Sequence, residues 1–110
     1  MERDLEISQA KLAADQVDYE RAIKLSLPAA QAGDSETQAL VGLSYTLLGE
    51  EIDLAVKWLT RAADQGRGDA AHNLGSLYST LFPAQRDEGK KWFKRALELG
   101  FVVSAEPWHQ

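Results

Sequence analysis

The chain writes one pattern three times. Ala22, Leu25, Ala29, Ala30 and Gly33 return 33 residues later as Ala55, Trp58, Ala62, Ala63 and Gly66. The pattern comes back 34 residues further on as Gly89, Trp92, Ala96, Leu97 and Gly100. A second row precedes it: Val41, Gly42 and Tyr45 recur as Leu74, Gly75 and Tyr78. A fixed period in this range marks a helical repeat array. Each unit is a helix–turn–helix that cannot bury its own apolar side, and stacking the units buries a continuous seam. The expected fold is all-α: a right-handed α–α solenoid of three antiparallel helical hairpins. They cover about residues 3–33, 35–66 and 69–100, followed by a capping tail over 101–110.

At 110 residues the chain is one domain or one short array. It has no cysteine, so disulfides and thiolate metal sites are ruled out. No apolar run reaches the ~20 residues that span a bilayer. Met1-Glu2-Arg3-Asp4 lacks the apolar stretch of a secretory signal, and a cytoplasmic address is expected. The formal net charge is −5, unevenly placed. Residues 1–53 hold eleven acids against four bases, and residues 54–110 hold six against eight. An acidic chain argues against nucleic-acid binding. The asymmetry serves solubility, or steers a partner or a second copy.

The helices are read from periodicity and caps. The first covers about residues 3–14. Asp15 caps the second, about 17–32, where Pro28 predicts a kink or break near Ser26 to Pro28. Ser35, with Gln38 three residues on, has capping-box spacing for the third, which ends near Leu48. The fourth runs from about 50 to 65, and Asp69 caps the fifth, about 70–81. Phe82-Pro83 break the chain before a sixth helix over about 84–99. Gly33, Gly66 and Gly100 stand where left-handed C-cap residues are wanted. Gly42 and Gly75 lie mid-helix, where glycine costs about 1 kcal/mol against alanine. A neighbouring helix passing close by would account for them, with Trp58 and Trp92 filling the larger gaps. Their matched places make the tryptophans core residues rather than ligand platforms.

These residues resemble the Sel-one-like repeat, a relative of the tetratricopeptide repeat. Ala70, Leu74, Gly75 and Tyr78 match its first helix in order, and Ala55, Trp58, Ala62, Ala63 and Gly66 its second. Asp18-Tyr19-Glu20-Arg21-Ala22 looks like the entry to a tetratricopeptide second helix. The family's glycine–x–glycine–valine loop is missing: Leu48-Gly49-Glu50-Glu51 and Phe82-Pro83-Ala84-Gln85 stand in its place. The resemblance covers about residues 15–104. It implies an adaptor or regulator that binds other proteins, with no shared catalytic residue.

Catalytic chemistry has little to stand on. The two histidines, His72 and His109, are too few for a metal site of three or four ligands. No base, nucleophile and orienting group converge, so no enzyme activity, metal or cofactor is expected. Gly66-Arg67-Gly68 is a turn between helices, not a phosphate cradle. In stacked helical pairs the first helices line a concave groove. Carried over from tetratricopeptide geometry, its positions are Glu36, Ala39, Leu43, Thr46 and Leu47 in the middle unit. The third unit adds Asp69, His72, Ser76, Ser79 and Thr80, and the first would add Arg3, Glu6 and Ala10. Such a surface suits another protein's peptide, extended or helical, with a basic group near an apolar anchor. No nucleic-acid or membrane partner is expected.

Two further surfaces are marked. Lys90, Lys91, Lys94 and Arg95 form a basic strip, either a solvated face or a receiver for an acidic segment or phosphate. Phe101, Val102, Val103 and Trp108 either close the last pair or form a patch for a partner, leaving a monomer or a weak homodimer through the C-terminal end. The leading reading is a protein-binding module. The alternatives are a small inhibitor, such as a bacterial immunity protein that blocks a toxin, and a purely structural fragment cut from, or designed after, a longer array, with no partner of its own.

Overall fold

The structure, a computed structural model, describes residues 18–102. The expected helix over 3–14, the Asp15 cap, Arg3, Glu6, Ala10, His109 and the tail residues Val103 and Trp108 lie outside that range. Among the described residues there are five α-helices and no strand: α1 (Tyr19–Gln31), α2 (Ser35–Leu48), α3 (Ile52–Asp64), α4 (Gly68–Leu81) and α5 (Arg86–Glu98), with a short 3-10 turn, Pro83–Gln85, before α5. The chain is an all-α helical-repeat solenoid. α2 pairs with α3 and α4 with α5, while α1 packs on α2 and stands as the second helix of the unit before them.

The units share one way of stopping. Gly33, Gly66 and Gly100 take φ of 104°, 98° and 85°. At each stop the next amide reaches back five residues: Asp34 N–H to the Ala29 carbonyl, Arg67 to Ala62 and Phe101 to Ala96, at 3.1, 3.1 and 2.9 Å. This closes the orphan carbonyls of the last turn, and it needs a left-handed residue that glycine supplies without strain.

The helix starts differ from expectation. α2 is capped by Asp34, whose carboxylate accepts from the Thr37 amide at 2.8 Å, and Ser35 is the first helical residue. Gln38 is not a capping-box partner. It is buried, donates to the Ala30 carbonyl at 3.0 Å and accepts from Gln65 Nε2 at 2.7 Å, tying α1 to α2 and to the end of α3. Asp18 caps α1 by accepting from the Arg21 amide at 3.1 Å. α4 begins at Gly68, so Asp69 is a first-turn residue, not the cap. Pro28 does not break α1, which runs on through it; the ring sits on the exposed side of the helix.

Small residues let the hairpins close. A Cβ on Gly42 would meet Leu59 Cγ at 2.6 Å, and one on Gly75 would meet Phe93 Cδ1 at 2.6 Å. The close approach expected at these glycines is present. The side chains filling the space are Leu59 and Phe93, each one residue beyond the expected tryptophan. Trp58 is buried with Ile23, Ala30 and Val41 in the seam toward α1, and Trp92 is half-buried against the second seam. That second seam joins the hairpins: Leu59, Ala62 and Ala63 from α3 and Ala70, Ala71 and Leu74 from α4 are all at most 1% exposed.

Candidate functional site

The first helices of the two complete hairpins, α2 and α4, leave a concave trough between them. Its upper part is lined by Glu36, Ala39, Leu40, Leu43, Arg67, Asp69 and Asn73, and has a volume of about 180 Å³. Its lower part, about 340 Å³, shares Leu43 and Asn73 and continues along Thr46, Leu47, Ser76, Leu77, Thr80 and Leu81. Small-molecule sites hold about 300–1,000 Å³ in an enclosing cleft. This trough is open along its length. From Glu36 to Leu47 the α2 helix advances about 16 Å, which an extended peptide of about five residues would cover.

The two ends differ in chemistry. At the upper end Arg67 forks onto Asp69, with Nε at 3.1 Å and Nη2 at 2.8 Å from its two carboxylate oxygens. The hydrogen bonds that Arg67 donates to Asp69 raise its pKa above the ordinary value, burial opposes them, and the negative charges of Asp69, Glu36 and Asp34 add to the rise. Asp69 also accepts from the Ala70 amide at 2.8 Å, which fixes its rotamer. The lower end is mostly aliphatic. Leu47 and Leu81 are 52% and 49% exposed, among the most exposed large apolar side chains described. Thr46 adds little polarity there, because its hydroxyl donates to the Gly42 carbonyl of its own helix at 2.9 Å.

Of the residues expected in this trough, Glu36, Ala39, Leu43, Thr46, Leu47, Asp69, Ser76 and Thr80 line it; Ala39 is a buried floor residue. His72 and Ser79 do not. The His72 ring packs on Phe93 and Phe101, with centroids 5.3 and 5.0 Å away, and Ser79 Oγ lies beside Gly89 of α5. The reason is helical phase. Stepping 100° per residue, His72 and Ser79 sit about 60–80° to one side of Asp69, while Asn73, Leu77 and Leu81 fall on the other. On α2 the equivalent side, Ala39 and Thr46, faces the next hairpin; on α4 it faces the end of the described array.

Arg67, Leu40, Asn73, Leu77 and Leu81 line the trough without having been expected there. A four-residue step from Asp69 would have found Asn73, Leu77 and Leu81. Nothing local marks Arg67, which lies in the turn and reaches the trough through Asp69. Among the described residues no three metal-ligating side chains cluster, and no helix is long and apolar enough to cross a membrane.

Comparison with known proteins adds the family. The Sel1 repeat matches residues 10–34, 37–66 and 68–101, most of the chain. Sel1 repeats are generally non-catalytic protein–protein interaction modules. Similar in sequence is DAP3-binding cell death enhancer 1 of Mus musculus, 36% identical over 86 residues, covering 74% of this chain and 16% of that protein. The chain thus spans about a sixth of the length of this curated relative.

Proposed function

The chain belongs to the Sel1 repeat family, and on that premise we propose that it is an adaptor-type module holding a segment of another protein in the trough between α2 and α4. The carrying observation is the pair of half-exposed leucines, Leu47 and Leu81, that both line the lower trough. Exposed aliphatic side chains gathered in a concavity are a liability unless something covers them. The murine relative is by name a DAP3-binding protein, which supports a protein partner for this chain as well.

The recognition chemistry is an apolar anchor first and charge second. Asp69 is already held by Arg67 at two points, so a basic group on the partner must share that carboxylate. The anchor belongs about 10–16 Å away, over Leu43, Leu47, Leu77 and Leu81. The trough is preorganised by the Gly42 and Gly75 close approaches, so little ordering cost falls on the module when it binds.

The test is capture from source cells with the intact chain and with Leu43→Glu and Leu81→Glu, followed by titration of the recovered partner against each purified variant. A buried charge opposite an apolar anchor should weaken binding by more than about tenfold. Unchanged affinity in both variants removes the trough from consideration.

A further inference from the structure

The last described hairpin carries the outgoing half of a stacking seam. In the middle hairpin Leu59, Ala62 and Ala63 of α3 are buried in one cluster with Ala70, Ala71 and Leu74 of α4, and Leu59 also fills the space at Gly42 of its own hairpin. Shifted by 34 residues, the same positions in the last hairpin are Phe93, Ala96 and Leu97 of α5. There, with His72 and Phe101, they line a cleft of about 170 Å³. Leu97 is 67% exposed, against 1% for its counterpart Ala63, and Val102 beside the cleft is 76% exposed.

The flank of this face is charged. At 100° per residue Phe93, Leu97, Lys90 and Lys94 share about one third of the circumference of α5. Lys90 and Lys94 are exposed and make no ion pair among the described residues, whereas Lys91 lies 3.9 Å from Glu88. The matching stretch of α3, Val56 to Ala63, has Thr60 in the place of Lys94 and Val56 in the place of Lys90, so the lysines are particular to the end face.

We infer that the α5 end face is a second docking surface, for an amphipathic helix of another protein that presents small apolar residues and carries Asp or Glu along the edge over Lys90 and Lys94. The occupant's helical form follows from continuity with the internal seam, where the same positions are covered by a helix with an Ala-Ala-x-x-Leu face, Ala70, Ala71 and Leu74. Its small residues follow from the replacement of Ala63 and Leu59 by the bulkier Leu97 and Phe93, which leaves less room for the incoming side chains. Its acidic edge follows from the two lysines, which steer and orient but add little affinity at an exposed rim.

The experiment uses the full chain and a defined probe: a lactam-stapled, fluorescein-labelled helix built on the Ala-Ala-x-x-Leu pattern of α4 with glutamates along one edge. Fluorescence anisotropy should show saturable binding, about tenfold weaker for Leu97→Asp, a truncated hot-spot contact, and about threefold weaker for Lys90→Glu or Lys94→Glu. Leu43→Glu should bind the probe as the unaltered chain does, which separates this face from the trough. Leu97 is exposed, so the Leu97→Asp chain keeps its helical circular dichroism. No saturable binding, or equal binding by Leu97→Asp, overturns the assignment. Self-association that Leu97→Asp abolishes would make a second copy the occupant, and probe binding seen only in Trp108→Ala would make it the chain's own tail; either result also overturns it.

Discussion

The outgoing face of the middle hairpin and the outgoing face of the last one are built from the same register and meet opposite fates. Leu59, Ala62 and Ala63 are buried in one cluster with Ala70, Ala71 and Leu74 of α4. Phe93, Ala96 and Leu97 hold the equivalent places with only Ala96 fully buried. In the sealed seam two of the three side chains are alanines, so the helix backbones can come close. At the open face the alanine at position 63 has become a leucine and the leucine at 59 a phenylalanine. A solenoid gains stability from each covered face and exposes an adhesive surface at each uncovered one. One sequence pattern therefore gives a buried seam in one place and an open apolar face in another.

The difference should be largest when side chains are cut back. Leu59→Ala opens a cavity in a fully buried seam, and such truncations cost about 2–5 kcal/mol. Leu97→Ala removes a mostly exposed side chain, and surface changes of that kind stay within about 0.5 kcal/mol. Urea denaturation followed by circular dichroism measures both. A Leu97→Ala loss as large as that of Leu59→Ala would mean that the end face is sealed in solution and that the two faces do not differ.

A smaller contrast concerns the two glycines. An added Cβ at Gly42 would lie 2.6 and 2.8 Å from Leu59 Cγ and Cδ2 and 3.0 Å from the Leu59 backbone nitrogen. At Gly75 it would lie 2.6–2.8 Å from ring atoms of Phe93, with no backbone atom among them. Leu59 is locked between two helices, whereas Phe93 borders the open cleft and has room to swing. Overpacking costs about 1–3 kcal/mol, set against about 1 kcal/mol gained in helix propensity. Gly42→Ala should therefore destabilise by about 1–2 kcal/mol, with Gly75→Ala close to neutral. Equal losses in thermal melts would show Phe93 to be as confined as Leu59.

These contrasts also explain what could be read from the sequence. The period, the helical class and the stopping glycines were legible because each rests on a backbone requirement that recurs at fixed spacing. Most trough residues could be placed too, since Glu36, Leu43 and Leu47 lie on one face of α2 by spacing alone. His72 and Ser79 were misplaced because a residue in the last unit has the same phase as its predecessor but not the same neighbour. Ala39 and Thr46 look onto a following hairpin, and His72 looks onto Phe93 and Phe101. The caps failed for a local reason. Asp34 and Ser35 are adjacent and both favourable, and only the carboxylate's reach to the Thr37 amide decides between them. Gln38 had the right spacing for a capping box, yet burial against the Ala30 carbonyl took it elsewhere.

The smallest effect bears on what a covered seam must exclude. Ser44 is 1% exposed on α2, and its hydroxyl has no hydrogen-bond partner among the described residues. Thirty-three residues on, the same position in α4 is Leu77, 3% exposed. An unsatisfied buried polar group costs about 1–3 kcal/mol, and serine is a poorer helix former than alanine by about 0.5 kcal/mol. Ser44→Ala leaves the volume almost unchanged and removes the orphaned oxygen. It should stabilise the chain by about 0.5–1 kcal/mol, which for a domain near this size is a rise in Tm of about 2–6 °C. Ser76→Ala, a change at a half-buried trough position, is the control and should move the melt by less than about 2 °C. A drop in Tm for Ser44→Ala would mean that the hydroxyl has a partner in solution. The α2 helix would then be held by a polar contact where the next unit relies on leucine, and the two hairpins would differ inside as well as at their outgoing faces.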